Sequence, residues 1–327
     1  VSGLIQGGAF ERRPFRHGPG ALPSVARLVG HTPMVRMRRI GAEFPGVSIF
    51  AKLEFFNPGG SVKDRPALKM ILDAEADGRL SREKTIIDST SGNTGVAYAW
   101  IGAALGYRVT LVMPSNVSIA RKQIISAYGA EIVYSDPMEG SDGAIRLVRK
   151  LVAEQQDQYF YPDQYSNASN PLAHELSTAP EIWHQTRGAV THFVCGIGTS
   201  GSVMGTGRGL KKLRQEIQVI AVEPAEPFHG LEGLKHMPSS ILPAIYLEQE
   251  LDEKLSISTD EGWEMSERLA AEEGLFVGHS GGAALVGAIR VAARLHARGE
   301  TGTVVTLFPD RADRYFEPAR WERSYSW

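Results

Sequence analysis

Apolar positions along the chain fall into two alternating rhythms. Short β-branched and aromatic runs, such as VSIFAKLEF at 47–55, RVTLVM at 108–113 and QVIAV at 218–222, read as strands. Between them, apolar residues recur every three or four positions, the spacing of a helix with one buried face. Strand 47–55 is followed by such a segment at 67–76, with Leu68, Ile71 and Leu72 on one side. Strand 84–87 precedes a helix bearing Ala97, Ile101 and Leu105; strand 108–113 precedes helix 118–128; strand 131–134 precedes helix 143–155. A stretch of turn formers and aromatics at 159–171 breaks the rhythm. It resumes with helix 177–186, strand 191–195, helix 202–215 and strand 218–222. A Pro/Gly-rich segment at 224–243, expected to be a mobile flap, leads to helices 262–273 and 283–298 and strand 303–308. A short helix at 24–29 and an extended piece at 32–36 come before all of these. This alternation predicts an α/β fold of right-handed βαβ units and mostly parallel sheets. Two domains with a cleft between them are expected, with ligands at the C-terminal ends of the strands.

Composition narrows the class. The 327 residues are 43% hydrophobic and 22% charged, ordinary for a globular protein of one or two domains. A formal net charge of −2 offers no reason to expect nucleic acid or an anionic membrane as partner. The single cysteine, Cys195, excludes an internal disulfide framework and fits a reducing, cytoplasmic setting. The longest apolar stretch, 96–105, is too short to span a bilayer, and residues 1–22 read as a flexible arm without a signal-peptide core. Histidines are scattered singly, with no metal-ligand spacing.

Chemistry concentrates in loops that join strands to helices. In NPGGSVKDRP at 57–66, Ser61 and Asp64 have the spacing of a capping box, which predicts a helix from Ser61 with Lys63 in its first turn. A lysine at the positive end of a helix dipole is either turned to solvent or desolvated, with a lowered pKa suited to Schiff-base chemistry. Thr90-Ser91-Gly92-Asn93-Thr94-Gly95 is richer in hydroxyls, amide and glycine than a helix cap needs, and suits a carboxylate or phosphate. Gly196-Ile197-Gly198-Thr199-Ser200-Gly201 is a G-x-G-x-x-G loop, with Glu223 placed where a ribose-binding acid would stand. Taken alone, it supports an NAD-dependent enzyme. Gly278-His279-Ser280-Gly281-Gly282 matches a nucleophile elbow, but no histidine follows Asp310 or Asp313, so the triad of an α/β-hydrolase is incomplete.

Together these segments resemble the fold type II pyridoxal-phosphate enzymes, of the tryptophan-synthase-β type. Within them the chain is most similar to O-acetylserine sulfhydrylases, or cysteine synthases. The resemblance is carried by KLEFFNPGGSVKDR at 52–65, TSGNTG at 90–95, Gln164 in DQYSNASNP, AHELSTAPEIW at 173–183, GIGTSGSVMGTG at 196–207 and DRADRY at 310–315. GHTPMV at 30–35 also matches the family's pattern, with His31 in place of its usual asparagine. The resemblance implies Lys63 as the Schiff-base lysine and Asn93 as a donor to the cofactor's 3′-oxygen. It implies Thr90, Ser91, Thr94 and Gln164 around the substrate α-carboxylate, and Gly198, Thr199, Ser200, Gly201 and Ser202 around the cofactor phosphate. Asp310 falls where many relatives carry a serine against the pyridine nitrogen, and this, with the flap sequence HGLEGL at 229–234, looks like the cysteine synthase B branch. Gly281 replaces a serine usual in relatives and is expected to loosen or widen that wall. The implied domains are 50–157, with the TSGNTG loop, and 23–49 plus 158–327, with the phosphate loop. The implied reaction is a β-replacement, through an aminoacrylate, that makes L-cysteine from an O-activated serine and a sulfur donor. O-acetylserine and sulfide are the expected pair, in a homodimer. O-phosphoserine sulfhydrylase and cystathionine β-synthase chemistry are neighbouring alternatives.

Overall fold

The computed structural model describes residues 25–315, apart from 91, 116 and 118. In chain order its strands are β1 (Met34–Arg36), β2 (Val47–Leu53), β3 (Thr85–Ser89), β4 (Arg108–Pro114), β5 (Glu131–Ser135), β6 (Tyr159–Phe160), β7 (His192–Gly196), β8 (Gln218–Pro224), β9 (Glu253–Ile257) and β10 (Gly302–Phe308). The helices are α1 (Asp64–Ala76), α2 (Asn93–Leu105), α3 (Ile119–Ala127), α4 (Gly140–Glu154), α5 (Ser169–Ala173), α6 (Ala179–Gln185), α7 (Gly201–Leu213), α8 (Thr259–Arg268) and α9 (His279–Ala297).

Two sheets organise the chain. One runs β1-β2-β10-β7-β8-β9 and is parallel except for β1, which pairs antiparallel to β2; the other runs β5-β4-β3-β6 and is wholly parallel. Parallel strands need both faces covered, which explains their continuous apolar runs. Residues of α8 and α9 pack with β2 and β10 in one core cluster, and α6 and α7 pack with β7 and β8 in another. The four-stranded sheet is buried by α1 and α2 on one face and by α4 on the other.

Several boundaries differ from expectation for identifiable reasons. β2 stops at Leu53, where its partner β10 also ends (Leu53↔Phe308), and 54–56 turns into a 3-10 segment. β9 was not anticipated, because the edge strand EKLSI is half polar. β6 lies inside the predicted break and pairs with Thr85 and Ile86. The predicted domain limits at 50 and 157 therefore fall inside β2, which belongs to the larger sheet, and just short of β6, which belongs to the smaller. The helix expected at 177–186 begins at 169 and passes through a π-helical turn, His174–Thr178. The helix expected from 262 begins at Thr259, where Ser258 and Glu261 form a full capping box. The expected flap has a rigid root: Leu231 is buried in the core, and Lys235 N–H donates to the Ile197 carbonyl at 2.8 Å. The arm at 1–22 lies outside the described residues.

Candidate active site

Lys63 stands where the chain crosses from one sheet to the other: β2 lies in the six-stranded sheet, and α1 buries its face against the four-stranded one. The expected capping box is absent. Ser61 Oγ accepts from Lys63 N–H at 3.2 Å, and Lys63 precedes α1 rather than occupying its first turn. The Asp64 carboxylate is drawn off by the Gly59 N–H at 2.5 Å and the Trp100 indole at 3.0 Å. Those contacts leave no room for a side chain at Gly59, so this turn requires glycine.

Both ends of the loop are stapled to Glu54. Its carboxylate accepts from Asn57 Nδ2 at 2.9 Å and from Arg65 at 2.7 and 2.8 Å. Arg65 also pairs with Glu181, which holds Lys52 at 2.7 Å. Lys52, Glu54 and Arg65 are almost fully buried, so each charge persists only because its partners are in place. The sequence carries one local sign of this cluster, two charged residues, Lys52 and Glu54, at the end of a buried strand.

Burial pulls the Lys63 amine below the ordinary lysine pKa, opposed by the negative charge of Asp310 and by Cys195. The desolvated alternative for this lysine is the one that the surroundings support. Burial likewise pushes the Cys195 thiol up to about 12, so it stays protonated.

The segment 309–310 closes on the lysine loop: Val62 N–H donates to the Pro309 carbonyl at 2.9 Å, and Ser61 pairs with Asp310 in a β-bridge. Asp310 is 1% exposed. Its Oδ2 accepts from Asn93 Nδ2 at 2.5 Å and from the Tyr315 hydroxyl, while Oδ1 has no partner among the described residues. Burial raises its pKa, against the hydrogen bonds from Tyr315 and Asn93 and the charges of Arg314 and Lys63. Asn93 Oδ1 in turn accepts from Arg314 at 2.6 Å. Arg314 and Tyr315 had no assigned role in the sequence reading.

The substrate residues partly assemble. Thr94 Oγ1 donates to Gln164 Oε1 at 2.9 Å, joining positions 70 residues apart. Thr90 is half-buried at the mouth of α2, and Ser91 lies outside the described residues. Gly95 abuts the Thr90 carbonyl, with 2.9 Å to an added Cβ, so the loop needs glycine there.

The phosphate loop shows the features of an anion cradle. Ser200 is left-handed (φ 73°) and leads into α7, whose first N–H groups have no carbonyl one turn earlier to bond. Ser200 Oγ is buried without a partner among the described residues. A Cβ at Gly198 would strike the Gly233 carbonyl, and one at Gly201 would strike Asn170. An orphaned hydroxyl at a glycine-lined helix start and an orphaned carboxylate oxygen beside a desolvated lysine suit a phosphorylated pyridine aldehyde.

Family comparison agrees. The model of the family described as "Pyridoxal-phosphate dependent enzyme" matches residues 25–310. The chain belongs to that family. It is 52% identical to the cysteine synthase of Aquifex aeolicus, over 91% of this chain and 92% of the relative. It is 41% identical to the cysteine synthase B of Pseudomonas aeruginosa, over 90% and 95%. Among solved structures, the cysteine synthase (OASS) of Entamoeba histolytica aligns with a TM-score of 0.86 at 35% identity, over 95% and 94%. The fold is therefore that of the fold type II members of the family.

Membership removes the rivals, and the geometry says why each motif misled. Glu223, the supposed ribose acid, accepts from Met237 N–H at 3.2 Å and faces Lys254 at 3.7 Å. Ser280 is buried in the first turn of α9, no exposed elbow. Gly281 does not loosen its wall: an added Cβ would lie 3.3 Å from Phe308 and Val277 side chains, so glycine lets α9 sit close.

Proposed function

We propose that the chain makes L-cysteine by pyridoxal-phosphate-dependent β-replacement, from O-acetyl-L-serine and sulfide. The observation that carries this reading is the approach of Asp310 both to Lys63 and to Asn93, the neighbour of the Thr94–Gln164 pair. The relatives named cysteine synthase support the choice of reaction within the family. Bound pyridoxal phosphate supplies an electron sink for the pair released when a Cα–H bond breaks. Lys63 Nζ would hold the cofactor, and the free Lys63 amine, kept neutral in larger share by its lowered pKa, would take the substrate's α-proton. Thr90, Ser91, Thr94 and Gln164 bind the α-carboxylate, and Gly198–Ser202 the phosphate. The unpartnered Asp310 Oδ1 would hold the ring nitrogen in its protonated form, which would deepen the sink relative to a hydroxyl. Asn93, freed from Asp310 and Arg314, donates to the 3′-oxygen. The units built on the two sheets act as domains that close over the substrate, in a cytoplasmic homodimer whose size gel filtration would report.

One observation favours a second leaving group. Lys235, in the flap, is half-buried with its amine 5.1 Å from the centre of the Tyr165 ring, next to Gln164, and the Asp142 charge acts on it from beyond ion-pair contact. A phosphate leaving group would complete it. Assaying O-acetylserine and O-phosphoserine side by side with sulfide decides between them. The purified protein should be yellow, and Lys63→Ala should abolish turnover; a colourless wild type that binds NAD would sink the whole reading.

A further inference from the structure

Asp310 carries two donors on one oxygen and none on the other. Its Oδ2 accepts from Asn93 Nδ2 and from the Tyr315 hydroxyl, while Oδ1 stays open among the described residues. The two donors differ in what a cofactor asks of them. Asn93 is drawn away, because its amide is the donor assigned to the 3′-oxygen. Tyr315 has no such second task. Its hydroxyl then becomes the one donor left on Oδ2 among the described residues.

The phenol ring is seated by groups from several elements. At Gly278, just before α9, an added Cβ would strike both Asp310 Oδ1 and the Tyr315 ring, so only glycine lets the two sit this close. The next residue, His279, stacks on Trp263 of α8, with ring centres 3.4 Å and planes 14° apart. Its centre lies 6.0 Å from that of Tyr315. Trp263 is fixed in turn by its indole N–H on the Gly230 carbonyl at 3.3 Å. Arg121 of α3 lies 5.5 Å from the centre of the phenol ring. A ring packed among these groups aims its hydroxyl at one place. Burial and the Asp310 charge raise the phenol well above its ordinary pKa, so it stays protonated and can only donate to the carboxylate.

A hydrogen bond to a carboxylate favours its charged form and fixes which oxygen is spent. With Oδ2 occupied, Oδ1 is the oxygen presented to a partner. With the charge stabilised, a proton shared with a pyridine nitrogen rests on the nitrogen.

We propose that Tyr315 is a positioning residue for the cofactor's ring nitrogen: by donating to Oδ2 it keeps Asp310 ionised and turns Oδ1 toward that nitrogen. This rests on the pyridoxal-phosphate reading above. His279 and Trp263 act one step further back, as the seat of the phenol.

The test is nitrogen-15 NMR of ring-labelled pyridoxal phosphate in the resting holoenzyme, read beside the single-turnover rate of α-proton removal from O-acetylserine. Tyr315→Phe keeps the ring in its seat and loses the hydroxyl alone. It should move the nitrogen signal toward that of an unprotonated pyridine. Proton removal should slow about ten- to a hundredfold, the worth of a hydrogen bond to a charged group, with KM within about threefold of wild type. Adding Tyr315→Phe to Asp310→Asn should cost no more than about twofold beyond Asp310→Asn alone, because the hydroxyl acts through that carboxylate. An unmoved nitrogen signal in Tyr315→Phe or in Asp310→Asn, or additive losses in the double variant, would overturn the proposal while a yellow wild type left the cofactor reading intact. A wild type that binds no pyridoxal phosphate would overturn both.

Discussion

At the scale of single residues, the site is built by removing water and rationing partners. Lys63 and Asp310 are both pushed toward their neutral forms by burial, and each is held back by the other's charge. Asp310→Asn keeps the shape but removes the charge that favours a protonated ring nitrogen. It should slow α-proton removal by about two to four orders of magnitude, roughly the span of a general acid–base contribution, with the fold unchanged by circular dichroism. A deuterium-exchange rate at Cα equal to wild type would argue against that role. Asp88 shows the same physics away from the chemistry. It is 2% exposed at the root of the Thr90 loop, with Oδ1 on the Ser89 N–H at 2.7 Å and the buried Tyr98 hydroxyl beside the carboxylate. Burial, with the negative charge of Asp163, raises its pKa from 3.8 to about 7. The folded state thus holds a proton that the unfolded chain releases near pH 4, so this contribution to stability is present below pH 4 and lost as pH rises to 7. Asp88→Asn should match wild type near pH 4 and exceed it above pH 7 by up to about 4 kcal/mol, from about 1.4 kcal/mol per pH unit. Urea midpoints at pH 5 and 8 that shift in parallel would refute the assignment.

At the scale of elements, the lysine loop was legible where the backbone demanded a residue type locally and illegible where the partner was distant. Glycine at 59, and the run of small and hydroxyl residues at 90–95 and 198–202, answer constraints set within a few positions, so the sequence alone marked all three loops. Asp64 looked like a cap because Ser61 was three residues away; the indole that claims it is 36 residues off. His31 replaces an asparagine at a left-handed position, φ 49°, a conformation asparagine adopts readily; the Glu181 carboxylate on its N–H, at 2.9 Å, helps hold it there. Asn170 and the Glu54–Arg65–Glu181 cluster were missed for the same reason as Asp64: their partners are distant in sequence, Thr199 for Asn170 and Glu181 on α6 for Arg65. The cluster makes a direct prediction about α1. Glu54→Ala would strip Arg65 of one carboxylate and free both ends of the loop. It should cost about 3–5 kcal/mol, the penalty of breaking a buried ion network. A fall in the urea midpoint of less than about 1 kcal/mol equivalent would mean that Glu181 alone satisfies Arg65.

At the scale of the whole molecule, the units on the two sheets meet where α1 packs against α5 and α6, with Arg65 on Glu181 and Asp73 on Ser169, and again around the residues proposed to hold the cofactor. Asn93 meets Asp310 and Arg314, Arg314 reaches the Gly59 carbonyl, and Arg121 on α3 pairs with Glu232 of the flap while lying 5.5 Å from the centre of the Tyr315 ring. The Arg121–Glu232 pair is partly exposed, at 23% and 52%, so it offers little stability of its own. A cofactor held by Lys63, the 198–202 loop and Asp310 would therefore be a principal coupling between the two units. Binding to the folded state alone adds about 2.7 kcal/mol at a hundredfold excess over the dissociation constant. For 327 residues unfolding together, at about 2.1 cal/mol/K per residue, that is a rise of about 4 °C in melting temperature. If the units melt separately once the cofactor is removed, the effect differs in kind: one calorimetric transition with pyridoxal phosphate, two or one broadened transition without it. We expect the second behaviour, because the four-stranded unit has its own core in α1, α2 and α4, and without the ligand the units stay coupled only through α1 against α5 and α6 and through the loop bonds. Scanning calorimetry of the stripped and reloaded protein decides it. A stripped protein that melts in one sharp transition, merely shifted, would mean that the loop bonds at Glu54 and Asp310 couple the units without the cofactor's help.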